Sequence, residues 1–319
     1  MTRALVTGGA GTIGSAVVRR LLDEPGIEVR VSDQRRAPSW MRDACEVHEG
    51  DLRDLGEARR ATKGCSVSLH LAAIVGGIGN FHKLPHTLLE VNNALYNAVM
   101  RAALDARVER LVYVSSSMVF ERAASFPTRE SDLDSTPTPV SAYGFSKLSG
   151  EVYCRALHDE HDLPYTICRP FNAYGPGESP HDEPGIAHVV PDLIRKALAG
   201  VSPLPIFGSG EQTRTLTHID DIAEGIVSAL EHPAAENEDF NISAAQEMTV
   251  AEIARVVWEA CGRAEELELE HLPSFAVDVQ RRWPSVEKAR RVLGFEARIG
   301  VREGVAETVE WIRGELQAA

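Results

Sequence analysis

The 319-residue chain has only five cysteines, Cys45, Cys65, Cys154, Cys168 and Cys261, and no two of them form a C-x-x-C pair. That excludes a disulfide framework and a cysteine-rich zinc site, and it fits a reducing cytoplasm. No apolar run reaches 18 residues, so nothing is expected to cross a membrane. The opening Met1-Thr2-Arg3-Ala4-Leu5-Val6 runs straight into glycines, without the basic and then long apolar regions of a signal peptide. Positive charge is scarce: 33 Lys and Arg stand against 47 Asp and Glu, a net charge of -14. Nucleic acid and anionic membrane surfaces are therefore poor partners. No internal repeat is visible. With 44% hydrophobic and 25% charged residues, the composition is that of a globular protein. The length allows one large domain or two modest ones, with a core that needs no disulfide. The shortage of cations sets one condition. A phosphorylated ligand would have to be held locally, by a few placed Arg or Lys side chains and by helix N-termini.

What is present is a regular alternation. Strands are expected at Ala4-Val6, Glu28-Ser32, Glu46-His48, Val67-Leu71, Leu111-Val114 and Tyr165-Cys168. Helical spacing occupies Ile13-Leu22, Leu88-Leu104 and Ala142-His158. This pattern predicts βαβ units, hence an α/β fold with a doubly wound parallel sheet. After about Arg169 the composition changes, and the Pro- and Gly-rich stretch 170–210 reads as loop. Later helices (Asp220-Glu231, Val250-Ala260, Gly304-Arg313) alternate with short strands near Asp239-Ile242 and Leu267-Glu270. The expected division is a nucleotide-binding unit over 1–170, rejoined by about 211–245. The remainder of 171–319 forms a smaller mixed α/β substrate-binding region.

Thr7-Gly8-Gly9-Ala10-Gly11-Thr12-Ile13-Gly14 follows the first strand and opens a helix. Gly8 permits the tight turn, Gly11 lets a pyrophosphate approach the backbone, and Gly14 lets helix pack on strand. The helix N-terminus adds free N–H groups and a positive dipole. Asp33 ends the second strand 19 positions after Gly14. A carboxylate there binds ribose hydroxyls and repels a 2′-phosphate, which favours NAD over NADP. Arg35 and Arg36 follow and soften that preference. Tyr143 and Lys147 stand at i and i+4 of an expected helix, on one face. A lysine ammonium beside a phenol favours the phenolate, the form that acts as general base. Ser115-Ser116-Ser117 ends the fifth strand, at the edge where such sheets keep their ligands.

Taken together, TGGAGTIG, Asp33, Gly50-Asp51-Leu52, Leu71-Ala72-Ala73, Asn92, VSSSMVF, YGFSK and RPFNAYGPG resemble one family in order and spacing. It is the extended short-chain dehydrogenase/reductase superfamily, in its NAD-dependent nucleotide-sugar epimerase/dehydratase branch, and the likeness runs from about residue 2 to residue 313. The resemblance implies a Rossmann sheet and the cofactor NAD. It implies Tyr143 as the base that takes a proton from a sugar hydroxyl, with Lys147 on the nicotinamide ribose and tuning Tyr143, and Ser116 bonding the reacting hydroxyl. Asp51 and Leu52 would sit by the adenine. Leu71, Ala72, Ala73, Ser115 and Pro170 would border the cofactor together with Gly8, Gly11, Thr12, Ile13 and Gly14, and Asn92 would support the strand ends. On the substrate side it implies Asn172 and Arg214 at the diphosphate of a nucleoside diphosphate sugar, with Arg282 as a second phosphate contact. Family members usually carry an aspartate where this chain has Ser285. Gly77, Ser117, Met118, His188 and Val189 complete the expected sugar-side lining.

Departures from the family pattern narrow the chemistry. The 4,6-dehydratases and uronate decarboxylases carry a glutamate just after the strand end, and the 3,5-epimerases and fucose synthases a cysteine. This chain has Ser117 and Met118, and a thioether is no general base. The loop Ala73-Ile74-Val75-Gly76-Gly77-Ile78-Gly79 nonetheless resembles that of the last two families. The expected activity is C4 epimerisation of a nucleoside diphosphate sugar by transient oxidation. The alternatives are a 4-ketoreductase or dehydrogenase, a 3,5-type GDP-sugar epimerase, and a silent NAD-binding protein. The clusters His158-Asp159-Glu160-His161 and His181-Asp182-Glu183 read as solvated ends or loop rather than metal sites. Helices Leu88-Leu104 and Ala142-His158 carry apolar residues on more than one side, and the resemblance implies that they pair in a homodimer.

Overall fold

A computed structural model of the protein describes residues 2–183, 185–275 and 278–318. Seven strands form the main sheet: β1 (Thr2–Thr7), β2 (Ile27–Asp33), β3 (Glu46–Glu49), β4 (Val67–His70), β5 (Arg110–Val114), β6 (Tyr165–Pro170) and β7 (Glu238–Ile242). Their order is β7-β6-β5-β4-β1-β2-β3, and every neighbouring pair is parallel. Helices cover both faces, so the central strands are buried on both sides and read as continuous apolar runs such as Leu111-Val112-Tyr113-Val114. The strand order reverses between β1 and β4, and the crevice outside their carboxyl ends is where such a sheet binds its ligand.

On one face the Thr12–Leu22 and Ile219–Glu231 helices pack through Ala16, Val17, Leu21, Ile222 and Ile226. On the other face the Pro85–Ala106 helix buries Tyr96, Val99 and Ala103 beside Cys154 of the Ala142–His161 helix. Pro85 sits in the first turn of its helix, where no amide partner is lost. Ser141 caps the Ala142–His161 helix by accepting from the Gly144 amide. A third core lies beyond the carboxyl edge of the sheet. It joins Leu193 and Ile194, Leu204 and Ile206, Ile253 and Val257, and Val305, Val309 and Ile312. The chain enters this cap after β6, returns to the sheet at β7, and leaves again.

The stretch 170–210 is not all loop. Val189–Leu198 is a helix and Leu204–Phe207 a strand parallel to Leu269–Leu272. Proline concealed the helix, because Pro191 falls in its first turn while Val190, Leu193, Ile194 and Ala197 keep helical spacing. Four shorter helices, Ser39–Ala44, Leu55–Thr62, Ile78–Lys83 and Glu287–Leu293, are additional to the expected set, and the last helix extends over Val301–Ala318. Among the described residues, no helix is long and apolar enough to cross a membrane.

Candidate active site

A cavity of about 930 Å³ opens at the carboxyl edge of the sheet. Of the residues singled out above as catalytic, cofactor-binding or substrate-binding, all but Asn92 line it. Asn92 is fully buried and acts through the loop after β4. Its side chain accepts from the Ile74 amide at 2.7 Å and donates to the Ile74 carbonyl at 3.1 Å and to Ser146 Oγ at 3.1 Å.

At one end the first glycine motif makes a cradle without side chains. A Cβ on Gly14 would stand 2.1 Å from the Gly8 carbonyl oxygen. Gly11 precedes the Thr12–Leu22 helix and supplies no side-chain cap, so the first-turn amides are left to a ligand. Asp33 closes β2 here. Its carboxylate accepts from the Ala10 amide at 3.1 Å and from Arg35, whose Nε and Nη2 lie at 3.2 and 3.0 Å. Arg35 therefore neutralises Asp33 instead of standing apart from it. Asp51 is similarly held by Arg53. His70 lies beneath the cradle, bonded to Thr7 Oγ1 at 2.7 Å and held neutral by burial, which pushes its pKa down to about 3. The glycine cradle, the free helix terminus and the ribose-side carboxylate fit a dinucleotide.

Ser116, Tyr143 and Lys147 all line this cavity. Burial pushes the Tyr143 phenol up to about 12, against the Ser116 hydroxyl and the Arg282 charge, which pull it down. Lys147 differs from expectation. Its Nζ donates to the Val114 carbonyl at 2.9 Å, and the groups that favour the phenolate are Ser116 and Arg282. Burial pulls the Lys147 ammonium down to about 7, against the opposing charge of Glu151. Phe81, in the short helix after the Gly-Gly loop, stacks on Tyr143 with ring centroids 4.8 Å apart and planes 10° from parallel. It contributes to the burial of the phenol.

The far end is charged. Arg214 donates to Asp278 Oδ1 at 2.9 Å and to the Thr213 and Val279 carbonyls, both at 2.7 Å. Arg282 donates to Asn172 Oδ1 at 3.3 Å and aims Nη2 at the Met118 sulfur, while burial and Arg214 bring its pKa down to about 9. Ser285 does not disturb this segment. Backbone bonds from Arg282 to Thr213 and from Ser285 to Thr128 hold it in place. His188 Nδ1 lies 2.7 Å from Glu178 Oε1, an ion pair that raises the imidazole pKa and lowers the carboxyl. Gly77 reaches the cavity through its backbone, donating to the Ile186 carbonyl at 2.6 Å, and Gly79 donates to the Gly185 carbonyl at 2.8 Å. A Cβ on Gly77 would lie 2.3 Å from the Gly185 oxygen, so only glycine allows this clasp. Glu178, Asp278 and Glu121 were not singled out in the sequence. Each carboxylate lines the cavity from a loop or turn, and its partners His188, Arg214 and Ser141 lie 10, 64 and 20 positions away.

A parallel sheet with a glycine cradle at its switch point, and a Ser, Tyr and Lys set on the same cavity, is the arrangement of a dinucleotide-dependent enzyme. The sequence comparisons then fix the family. The chain belongs to the NAD dependent epimerase/dehydratase family, whose model matches residues 4–243. It is 31% identical over 323 residues to a UDP-glucose 4-epimerase of Mycolicibacterium smegmatis, covering 99% of this chain and 100% of that one. It is 28% identical to a dTDP-4-dehydro-6-deoxy-D-allose reductase of a Streptomyces species, over 97% of this chain and 95% of that one. A solved UDP-glucose 4-epimerase of Thermotoga maritima, determined with UDP-glucose, superposes with a TM-score of 0.87 at 29% identity, covering 99% and 100% of the two chains.

Proposed function

We propose that the protein is an NAD-dependent nucleotide-sugar 4-epimerase acting by transient oxidation at C4. The supporting observation is the convergence of Ser116, Tyr143 and Lys147 in one cavity, with a thioether, Met118, where other branches place an acid or base. Bound NAD supplies the hydride acceptor and, on return, the donor. Tyr143 Oη takes the C4 hydroxyl proton and later gives it back, and Ser116 Oγ holds the same hydroxyl in line. Arg282 lowers the cost of the phenolate at that moment. Arg214 and Arg282 receive the diphosphate, and the Asn172 side chain orients Arg282. These few buried cations serve a phosphorylated ligand despite the net charge of -14. Asp33 would hold the adenosine ribose, Asp51 and Leu52 would border the adenine, and Lys147 would hold the nicotinamide ribose.

The test is Tyr143→Phe assayed against UDP-, GDP- and dTDP-sugars in D₂O. General-base loss should lower turnover about 10²- to 10⁴-fold with NAD still bound. Near-normal turnover would sink the mechanism. Hydride return leaves no solvent deuterium on carbon. The His188–Glu178 pair favours a second reading, proton exchange at carbon in a 3,5-type epimerase, and deuterium in the product would select it.

Several wider readings accompany this one. The sheet unit, 1–170 rejoined by about 211–245, holds the cofactor, and the rest of 171–319 holds the substrate. All five cysteines are free thiols, which supports a reducing, cytoplasmic setting. Phe145, Val152 and Tyr153 leave the Ala142–His161 helix 44%, 56% and 36% exposed. That face supports a homodimer through the paired long helices. Val152→Glu should convert a dimer to a monomer in light scattering, and a wild-type monomer would refute the pairing.

A further inference from the structure

A line of buried charges runs from the catalytic helix to the surface, and the reaction above leaves most of it unused. Glu151 stands one turn beyond Lys147, and both it and Arg169 of β6 are fully buried. Ser115 Oγ donates to Glu151 Oε1 at 2.7 Å. The Arg169 fork donates to both Glu151 oxygens, each at 2.7 Å. The same guanidinium lies 2.6 Å from Asp239 Oδ2 in β7, and Lys288 Nζ lies 2.8 Å from Asp239 Oδ1. Lys147, Glu151, Arg169, Asp239 and Lys288 thus alternate in sign across the sheet, from the cavity to the Glu287–Leu293 helix. A buried carboxylate is tolerated only with such partners, so the side chains at 115 and 169 fix where the charge of Glu151 sits.

Lys147 needs that charge. Its Nζ also lies 2.9 Å from the Val114 carbonyl and 5.4 Å from the Tyr113 ring, with neutral His70 nearby. Arg155 approaches Glu151 from the solvent side at 3.4 Å, and the adjacent Cys154 stays a thiol because burial raises its pKa. Among the described residues, Glu151 is the anion that favours the ammonium form of Lys147.

We propose that Glu151 is a positioning residue for catalysis: fixed by Ser115 and Arg169 one helical turn from Lys147, it favours the ammonium over the neutral amine and holds it at the Val114 carbonyl on the cavity wall. Its kinetic test rests on the epimerase reading, while its titration test does not. The chain has only five lysines, Lys63, Lys83, Lys147, Lys196 and Lys288, so ¹³Cε-lysine NMR can follow Lys147 directly, assigned through Lys147→Arg. In Glu151→Gln holoenzyme the Lys147 midpoint should fall by about one unit or more. That lowers kcat at neutral pH about fivefold or more, with recovery as the pH is lowered. Acid rescue is not expected of a merely structural loss. If the single variant fails to fold, Glu151→Gln with Arg169→Met removes the orphaned cation too and should show a smaller shift of the same sign. An unchanged Lys147 midpoint, or a pH-independent loss of kcat, overturns the proposal. A shifted midpoint in a protein that turns over no nucleotide sugar sinks the epimerase reading and leaves this one standing.

Discussion

The cofactor wall of the cavity is made largely of backbone: glycines at 8, 11 and 14, an uncapped helix start, and Ala72 and Ala73 at the end of β4. The substrate wall is made of charged side chains, Arg214, Asp278, Arg282, Glu178 and His188, drawn from separate segments of the cap. A backbone wall has little room to spare: a Cβ would stand 2.1 Å from backbone at Gly14 and 2.8 Å at Gly8, while at Gly11 the nearest atoms lie at 3.1 Å. A side-chain wall is held by pairs that can be retuned one at a time. On the division proposed above, the fixed part of the chemistry lies on the sheet and the adjustable part, substrate choice, on the cap.

The largest effect should come from adding one methyl to the backbone wall. Gly14→Ala puts a Cβ 2.1 Å from the Gly8 oxygen, which neither element can yield. NAD binding should weaken by at least about a hundredfold and the melting temperature should fall by several degrees. Calorimetric titration and thermal melts check this, and tight NAD binding would erase the contrast between the walls. Arg214→Ala should separate the two walls more cleanly. KM for the nucleotide sugar should rise about tenfold to a hundredfold, because a charge-assisted contact is lost and Asp278 is left unpaired. NAD affinity should stay constant, and a parallel loss of NAD would show that the walls are coupled.

The smallest effect concerns pH. His188 has a raised pKa, so its share of the pair's stability is complete below the ordinary value of 6.5 and is lost as pH rises through the raised one. Glu178 has a lowered pKa, so its share is present above the ordinary 4.5 and is lost as pH falls through the lowered one. Wild type should therefore exceed Glu178→Gln in melting temperature most between about pH 4.5 and 6.5. The gap should be at most about 2 °C, since the pair faces solvent in the cavity. A gap that widens toward alkaline pH would contradict the pairing.

The same contrast explains what could be read in advance. The cofactor wall was legible because it is contiguous: Thr7 to Gly14 carries turn, cradle and helix start in eight residues, and Asp33 follows at a fixed distance. Tyr143 and Lys147 were legible because helical spacing puts them together, although that spacing did not reveal that Lys147 turns to Val114 while Arg282, 139 residues from Tyr143, tunes the phenol. Glu178 and Asp278 carry no local signal, because each acquires its role only when folding brings His188 or Arg214 to it. The Val189–Leu198 helix was hidden in a proline-rich stretch whose apolar spacing outweighed its composition. Asn92 was placed in the right neighbourhood, but it braces the Ile74 loop from behind instead of lining the cavity.

The path of the chain between sheet and cap also limits how ligands come and go. It crosses after β6, returns at β7 and crosses again, so the cap is stitched to the sheet more than once. A body sewn on in this way resists swinging open as a whole. The cheaper opening is local: two backbone bonds, Gly77 to Ile186 and Gly79 to Gly185, and the Lys83–Glu183 ion pair fasten the Gly-Gly loop and the short helix after it to the Pro- and Gly-rich stretch at the cavity. Unfastening that clasp would release a product while leaving the dinucleotide end closed. On the proposed epimerase reading, the traffic of the two ligands would then be unequal, the sugar nucleotide exchanging at each turnover while the cofactor stays resident over many.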